Sequence, residues 1–430
     1  MDINTIERQS GTPGLTTGTM LVIATVVGGG MFSLPIAMSG VWFPGATVIL
    51  FAVAVMMLLT GLMLVEVNLH YGAGASFNTF TQDLLGQKWN VVVGIAFGFV
   101  LYILTYAYIS GSSAVMAQTV FKYSNFRLPA SISVIVVSIL VGAIAWYSSL
   151  LVGRITTILI IGKFVAFFAT FSGLVGHIEV AKLVDSVAFA LPNAQYAPYI
   201  LMTLPFCIIS FGFHGNVPSL VKLYGTDGIQ NITRSIIIGT LFAVLLYVFW
   251  LAVTMGNISR AEFPPIIAKG GNIDVFVEAI SGLFSSRYMD LILTFFGNFA
   301  VASSLLAATL GLFDYIADLF HFQDNGMGRL KTALVTYFPP AAVCVFFPNG
   351  FVHAIGYAGL AFTIWSVILP PFLVKAARRR FATAIYTAPC SNVVLNLIIV
   401  CGGIVYLTVM LDVFGLLLIL TLHLRTAFVS

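Results

Sequence analysis

An interrupted apolar segment near the start of the chain is the feature that most restricts its fold. The run Thr25 to Pro35, TVVGGGMFSLP, lies in a stretch long enough to cross a bilayer, yet it contains three consecutive glycines and a proline. Each interior glycine costs a helix roughly 1 kcal/mol relative to alanine, and proline costs about 3 kcal/mol. The same defect recurs in the second half of the chain, at Ser210 to Leu220, SFGFHGNVPSL. Paired interruptions of this kind are typical of transporters built from inverted repeats.

The composition predicts an all-α integral membrane protein. Of the 430 residues, 60% are hydrophobic and 8% are charged, whereas an ordinary soluble domain is about 25% charged. Apolar windows of about 20 residues, the length that crosses a bilayer, occur at eleven places. They lie near residues 15–40, 45–69, 91–118, 131–150, 155–176, 198–222, 232–255, 289–316, 332–347, 351–374 and 391–422.

The interrupted spans divide the chain into two sets of five within a single transporter domain, 1–430. Residues 15–176 form the first predicted repeat, 198–374 the second, and 391–422 an additional helix. Because five is odd, the second set is inserted upside down relative to the first. Two connecting segments are predicted to be partly helical: Tyr71 to Asn90, as an amphipathic surface helix, and Asn257 to Arg287, as a loop over the outer mouth.

The positions of lysine and arginine predict the orientation. Most of them, including the run Lys375 to Arg380, fall on the same side as the N-terminus. This predicts a cytoplasmic N-terminus and, with an odd number of spans, an external C-terminus. The run itself is interpreted as a topology determinant in preference to an anionic-lipid site. The polar start of the chain predicts no cleaved signal peptide.

The two breaks predict a substrate site. Unpaired backbone groups in hydrocarbon cost several kcal/mol, and a zwitterionic amino acid can satisfy them. The predicted donors to its carboxylate are the amides around Gly29, Gly30 and Met31, and the predicted acceptors from its ammonium are the carbonyls near Val26, Val27, Ser210 and Phe211. The alternative is that the glycines only permit close helix packing.

Aromatic and polar side chains are predicted near the same depth. Phe211, Phe213, Tyr102, Tyr106 and Tyr108 are candidates to clamp a planar side chain, although packing is the commoner role for any one of them. His214 and Asn216 offer hydrogen bonds inside the second break. An equally good interpretation is that His214 only donates a hydrogen bond to a carbonyl that the break leaves unpaired.

Lys163 is the lone charge in the middle of the fifth span. Intramembrane ionisable residues are candidates for function, and we predict that its ammonium occupies the place of a coupling cation and is reversibly protonated. A structural lysine that snorkels is the alternative. Asn298, Ser303 and Ser304 in the eighth span are its predicted neighbours. Glu66, Asp314 and Asp318 fall near cytoplasmic ends, where gate ion pairs or solvation are favoured over proton relay.

Other functional classes find no support. The four cysteines have no metal-ligand spacing, so neither a metal site nor a disulfide is expected. HExxH, GxSxG and a paired-carboxylate motif are absent, so no catalytic residues are assigned and no enzyme is expected. The net charge of +4 is spread over loops and does not indicate nucleic-acid binding. A receptor or channel is the remaining alternative, but no soluble output domain is evident.

Several long blocks resemble the hydroxy and aromatic amino acid permeases of bacteria, and within them most closely the tryptophan-specific permeases. They include GGGMFSLP, EVNLHYGAGASFNTFTQDLLG, APYILMTLPFCIISFGFHGNVPSL, NFAVASS and GLFDYIADLF, over roughly residues 15 to 380. After Phe381, where ATAIYTAPCSNVV stands, the resemblance is no longer recognisable.

The resemblance implies a leucine-transporter-like fold of the amino acid/polyamine/organocation type, with discontinuous helices one and six and an eleventh helix. It also implies residence in the bacterial inner membrane and proton symport, with no cofactor. Lys163 matches a fifth-span lysine that replaces the second sodium ion in related proton-coupled transporters.

The expected function is therefore proton-coupled import of tryptophan by alternating access, and the alternative is a tyrosine or broad aromatic permease. The expected partners are the aromatic amino acid, protons and membrane lipid, with no obligatory protein partner.

Overall fold

The computed structural model describes residues 14–72, 75, 77–184, 193–282 and 287–413, and these are helical with short connections. The predictions about the two termini refer to residues 1–13 and 414–430, which lie outside this part of the chain. The α-helices are α1 (Leu15–Val26), α2 (Ser33–Met38), α3 (Trp42–Leu69), α4 (Phe77–Leu85), α5 (Gln87–Ser124), α6 (Ala130–Tyr147), α7 (Ser149–Val175), α8 (Val180–Leu183), α9 (Asn193–Ser210), α10 (Val217–Tyr224), α11 (Ile229–Asn257), α12 (Phe263–Ala268), α13 (Ile273–Ser281), α14 (Arg287–Leu319), α15 (Gly326–Phe346), α16 (Phe351–Thr363), α17 (Leu369–Arg380) and α18 (Asn392–Val413). A π-helical segment, Ile364–Ile368, joins α16 to α17.

Among the described residues, nine helical segments are long and apolar enough to cross a membrane, or ten if the bent pair α1 and α2 is one span. The ninth predicted span forms α15 but is not among them. Arg329, Lys331 and the pair Pro339–Pro340 make this helix less apolar than the others. The total of eleven spans therefore stays a prediction.

The broken first span lies inside the bundle. Helix α1 packs against α11, and α11 also packs against α3. Helix α14 runs along α7 and α5, and α16 runs along α5 and α9. These contacts surround both predicted breaks with helices, which keeps the interrupted backbone away from lipid as a bilayer requires.

The two connecting segments are partly helical, as predicted. Helix α4 packs on α5 and α17, and its Phe77 ring lies edge-on to Trp365 with centroids 5.4 Å apart. Its apolar face is therefore covered by protein. In the other segment α12 and α13 follow a 3₁₀ turn, and Phe263 packs edge-on against Trp42 with centroids 5.6 Å apart.

A buried ion pair closes one end of the bundle. The Glu66 side chain is fully buried and accepts two hydrogen bonds from Arg378, with Nε–Oε1 and Nη2–Oε2 distances of 2.7 and 2.9 Å. Glu66 also accepts the backbone N–H of Ala388 at 2.7 Å, and Arg378 donates to the carbonyl oxygen of Cys390 at 2.9 Å. The lysine–arginine run thus holds the segment after Phe381 in place, a role that the sequence analysis did not assign to it.

Candidate functional site

The first break is an interruption of the α-helix, as predicted. Helix α1 ends at Val26, Gly28 is extended (φ −119°, ψ −170°), and one 3₁₀ turn, Gly29–Phe32, leads into α2. The axes on the two sides of the break differ by 50°.

The second break repeats this pattern. Helix α9 ends at Ser210, and a 3₁₀ turn, His214–Asn216, precedes α10, which has a proline in its first turn. Proline fits that position because its missing N–H would have no helical partner there. Both predicted interruptions are therefore confirmed.

Tyr247 of α11 joins the two breaks. Its hydroxyl oxygen lies 2.7 Å from the carbonyl oxygen of Val26 and 2.8 Å from that of Ser210, the last residues of α1 and α9. A hydroxyl carries one hydrogen, so it donates to one carbonyl at a time. The sequence analysis missed this residue, although a tyrosine within the apolar run LFAVLLYVFW was a signal that a buried hydroxyl would need a partner.

Two more side chains satisfy the first break. Lys163 of α7, 2% exposed, donates from Nζ to the carbonyl oxygen of Val27. Trp250 donates from Nε1 to the carbonyl oxygen of Met31 at 2.9 Å. The predicted contact between Lys163 and the first break is thus present in the structure.

These bonds change the expected role of the carbonyls. The oxygens of Val26, Val27 and Ser210, predicted to receive the substrate ammonium, already accept hydrogen bonds from protein donors. The Val26 oxygen also accepts the Gly28 N–H at 2.8 Å, so both of its lone pairs are used. A substrate ammonium would therefore have to share the Val27 or Ser210 oxygen with the protein.

The space beside the glycines is uneven. A Cβ on Gly30 would make only an ordinary contact, 3.9 Å from the Tyr108 hydroxyl, whereas a Cβ on Gly28 would lie 3.1 Å from Ser304 Oγ. The structure therefore brings Tyr108 and Ser304 to the first break, and Gly30 lies on its roomier side.

His214 is directed at a neighbouring helix. Its Nε2 lies 2.8 Å from Thr60 Oγ1 of α3, and Thr60 Oγ1 in turn lies 3.1 Å from the carbonyl oxygen of Met56. The single Thr60 hydrogen can go to the Met56 carbonyl or to Nε2, so the contact forms in either tautomer of His214, and Nδ1 has no partner among the described residues. The geometry favours a tethering role for His214.

Asn216 and the phenylalanines of the second break also face protein. Asn216 Nδ2 donates to Thr25 Oγ1, which is a second cross-link between the breaks. Phe211 packs edge-on to Tyr247 with centroids 5.3 Å apart, and Phe213 fills the space above Gly61, where a Cβ would lie 2.5 Å from its ring. The packing interpretation accounts for Phe213.

Tyr102 and Tyr106 are not brought to the breaks, which corrects their predicted role. Their hydroxyls donate to the carbonyl oxygens of Val335 at 3.0 Å and Phe347 at 2.7 Å, toward α15. Residues two apart on an α-helix point about 200° apart, so Tyr108 faces the opposite way from Tyr106. Of the three predicted tyrosines, Tyr108 is the one whose hydroxyl lies beside the first break.

Of the predicted neighbours of Lys163, some lie near the first break and one does not. Ser304 contacts the first break, and Ser303 is buried, with its hydroxyl donating to the Ala300 carbonyl at 3.1 Å. Asn298 instead donates to Thr119 Oγ1 of α5 at 2.9 Å. Since the Asn298 side chain is hydrogen-bonded to α5, its predicted role beside Lys163 is not supported.

No group of three or more histidine, cysteine, aspartate or glutamate residues within the described ranges is placed to hold a metal ion. The chemistry available at the breaks is therefore hydrogen bonding to backbone and hydroxyl groups, aromatic contact and the charge of Lys163.

A helical membrane bundle with two interrupted helices joined at their breaks defines the class of the protein as a membrane permease. The chain belongs to the tryptophan/tyrosine permease family, whose family model matches residues 11–409. The match continues past Phe381, so the family resemblance does not end where the sequence analysis placed its limit.

Named relatives of the chain cover nearly its full length. It is 82% identical to a tyrosine permease of Enterobacter agglomerans over 94% of this chain and 98% of that protein. It is 50% identical to a tryptophan-specific transport protein of Shigella flexneri, over 93% and 95% of the two chains. It is 42% identical to a low affinity tryptophan permease of Escherichia coli, over 93% and 94%. The family is one of transporters, not enzymes.

Proposed function

We propose that this chain imports an aromatic amino acid across the bacterial inner membrane by proton-coupled alternating access. The observation that carries the proposal is the junction of the breaks through Tyr247, beside the ammonium of Lys163. A junction made from a few hydrogen bonds can rearrange at low cost, because each contributes only about 1 kcal/mol net.

Tyrosine is the proposed substrate and tryptophan is the second candidate. Tyrosine is favoured by the 82% identity to a protein named tyrosine permease. Tryptophan, which the sequence analysis put first, is favoured by relatives at 50% and 42% identity. Tyr108, which lies beside Gly30, is proposed to contact the substrate ring, because edge-to-face contacts suit either a phenol or an indole.

The proposed substrate pose uses the roomier side of the first break. The carboxylate accepts hydrogen bonds from the amides of Gly29 and Gly30, near the N-terminal end of α2, since the Met31 N–H already donates to the Gly28 carbonyl at 3.2 Å. The N-terminal end of a helix favours negative charge. The ammonium donates to the second lone pair of the Ser210 carbonyl, because the Val26 carbonyl already accepts both Tyr247 and the Gly28 N–H.

Lys163 is proposed to be the proton carrier. Protonated, its ammonium holds α7 against the carbonyl of Val27; deprotonated, it loses one of its three donors and the charge that strengthens the bond. Release of the proton toward the cytoplasm would then loosen α7 from the first break. The proton is the only coupling ion in this proposal, and no cofactor takes part.

We infer that the helices form two inverted five-helix repeats, 15–176 and 198–374, in a leucine-transporter-like arrangement with an additional C-terminal helix. The support is the matched position and form of the two breaks. The distribution of lysine and arginine supports a cytoplasmic N-terminus and a periplasmic C-terminus.

Uptake by purified protein in liposomes tests the proposed function. Labelled tyrosine, tryptophan and phenylalanine would be offered under an imposed inward proton gradient, with protein-free liposomes as the control. We expect concentrative uptake of tyrosine that stops when a protonophore is added. Uptake that does not depend on the proton gradient would contradict proton coupling. Preferential uptake of tryptophan would make tryptophan, not tyrosine, the first candidate substrate.

A further inference from the structure

Two cavities meet at the loop between α15 and α16. The first, called here the polar cavity, has a volume of about 380 Å³ and lies between α5, α6 and α13. The second, called the apolar groove, has a volume of about 690 Å³ and lies between α5, α15 and α16. Pro348 and Asn349 line both, so the polar cavity opens beside one end of the apolar groove.

The polar cavity contains opposite charges that do not pair with each other. Arg127 and Asp274 both line it, but within the described ranges no basic side chain forms an ion pair with Asp274. Arg127 instead lies over the Phe121 ring, 5.2 Å from its centroid. Two opposite charges facing one cavity without contact suit a ligand that carries both charges.

The same cavity holds two buried polar atoms without partners. Asp274 Oδ1 and Ser113 Oγ make no hydrogen bond within the described chain, and Ser113 is 3% exposed. Burial raises the pKa of Asp274 above the usual aspartate range, although the backbone N–H groups of Val275 and Asp274 oppose this shift. A buried acceptor without a donor costs about 1–3 kcal/mol, so a ligand with N–H donors would be stabilised there.

The apolar groove runs along α5 toward the polar cavity. It is lined mainly by apolar and aromatic side chains, from Phe99 on α5 to Phe347 and Pro348 at the far end. The α5 segment from Phe99 in the groove to Ser110 in the polar cavity spans roughly 16 Å at 1.5 Å per residue, so the two cavities together extend over roughly the 15 Å of hydrocarbon in half a bilayer. Val343, Phe346 and Phe347 in its wall are 49%, 77% and 68% exposed, so the groove is open at the bundle surface.

We propose that these cavities form a binding site for a phospholipid with a primary-amine headgroup of the ethanolamine type. Its ammonium donates hydrogen bonds to Asp274, its phosphate accepts them from Arg127, and one acyl chain lies in the apolar groove. A quaternary choline headgroup carries no N–H donor and cannot make the bond to Asp274. A free amino acid would satisfy the polar cavity but leave the groove unfilled.

Native mass spectrometry of the delipidated full-length protein tests this site. Ethanolamine and choline phospholipids with identical acyl chains would be titrated separately. We expect the ethanolamine lipid to bind roughly tenfold more tightly, since a charge-assisted hydrogen bond is about twice as strong as a neutral one. Equal affinity of the two lipids for the unmodified protein would overturn the proposal.

Matched variants locate the site. Asp274→Asn should remove most of the headgroup preference, and Arg127→Gln should weaken binding of both lipids because they share the phosphate. Glu278→Gln, at an exposed carboxylate one turn further along α13, and Lys269→Gln, at an exposed cation in the same segment, should change neither property. A preference that survives Asp274→Asn, or affinities that are unchanged in Arg127→Gln, would place the lipid elsewhere.

The groove is tested separately. Val343→Trp would fill the apolar groove and should weaken binding of both lipids. Val400→Trp, at a position on α18 that is 56% exposed, should leave binding of both lipids unchanged. Tyrosine binding measured on the same samples distinguishes failure of the lipid proposal from failure of the proposed function. If Asp274→Asn removes tyrosine binding, and the unmodified protein binds the two lipids equally, the polar cavity binds the amino acid and the lipid proposal fails, while the proposed function stands.

Discussion

At the scale of single residues, Tyr247 decides how the two breaks are held together. Its hydroxyl serves the carbonyls of both Val26 and Ser210 from a fully buried position. The Val26 carbonyl also accepts the Gly28 N–H at 2.8 Å, so removal of the hydroxyl would leave mainly the Ser210 carbonyl without a donor, at a cost of about 1–3 kcal/mol.

Tyr247→Phe is expected to weaken substrate binding roughly tenfold. The reason is that loss of the hydroxyl removes about 1.4 kcal/mol of the free energy that holds the two breaks in the binding conformation. Equilibrium binding of labelled tyrosine to the purified protein measures this effect. Tyr406→Phe on α18 is the matched control. Unchanged affinity of Tyr247→Phe would show that the junction does not shape the binding site.

Lys163→Ala is expected to abolish accumulation against a gradient while retaining exchange, because Lys163 carries the proposed proton and the substrate contacts lie mainly on backbone and aromatic groups. Concentrative uptake and equilibrium exchange should be compared in the same vesicles. Lys331→Ala, an exposed lysine on α15, is the control. Accumulation by Lys163→Ala equal to that of the parent would exclude this lysine as the coupling site.

At the scale of structural elements, the first break depends on backbone that no side chain obstructs. A Cβ at Gly30 makes only an ordinary contact with the Tyr108 hydroxyl, but a longer side chain would extend into the proposed carboxylate position. Alanine and leucine at this position should therefore behave differently.

Gly30→Leu is expected to abolish uptake with normal membrane insertion, and Gly30→Ala should retain a substantial part of it. Uptake normalised to the amount of folded protein in the membrane tests both. Equal loss in the two variants would point to backbone strain at Gly30, and full activity of Gly30→Leu would place the carboxylate elsewhere.

Helix α4 is attached through Asp83, which accepts a hydrogen bond from Tyr71 at 2.6 Å and pairs with Arg380 at 2.9 Å. The Tyr71 hydroxyl, and then Arg380, hold the pKa of Asp83 below its usual range. Because the folded pKa is depressed, this contact stabilises α4 above the unfolded pKa of an aspartate and is lost as the pH falls through the folded value.

The protection of the Phe77–Leu85 amides, measured as their exchange rate relative to the intrinsic rate at the same pH, should therefore fall only at strongly acidic pH. In Asp83→Asn the protection should be lower at neutral pH and show no acidic step. Asp318→Asn, an exposed aspartate on α14, is the control. An acidic step that persists in Asp83→Asn would assign the titration to another group.

At the scale of the whole molecule, the Glu66–Arg378 pair connects α3 to the end of α17 and to the segment after Phe381. Removal of one partner of a buried pair leaves an uncompensated charge, which costs about 3–5 kcal/mol. Arg378→Met should therefore markedly lower the unfolding temperature.

The double variant Glu66→Gln/Arg378→Met should recover much of that loss, because the buried charge is then gone. Thermal unfolding of the purified proteins, with Arg379→Met as the control, measures the coupling. Additive losses in the double variant would mean that the two side chains do not stabilise the protein as a pair.

The sequence by itself determined the features that arise from local chemistry. Apolar length predicted the membrane helices, and glycine with proline predicted both breaks, because backbone propensity acts within a few residues. Isolation of one charge in an apolar span was enough to single out Lys163.

Only the tertiary structure decided which groups meet. Tyr247 lies 221 positions from Val26, and Arg378 lies 312 positions from Glu66, so no local pattern connects them. Helical spacing separates Tyr106 from Tyr108, but packing of α5 against its neighbours decides which of the two faces the break. Contacts between helices distant in sequence depend on how the whole bundle packs, and that arrangement turned Asn298, Tyr102 and Tyr106 away from the site and brought in Tyr247.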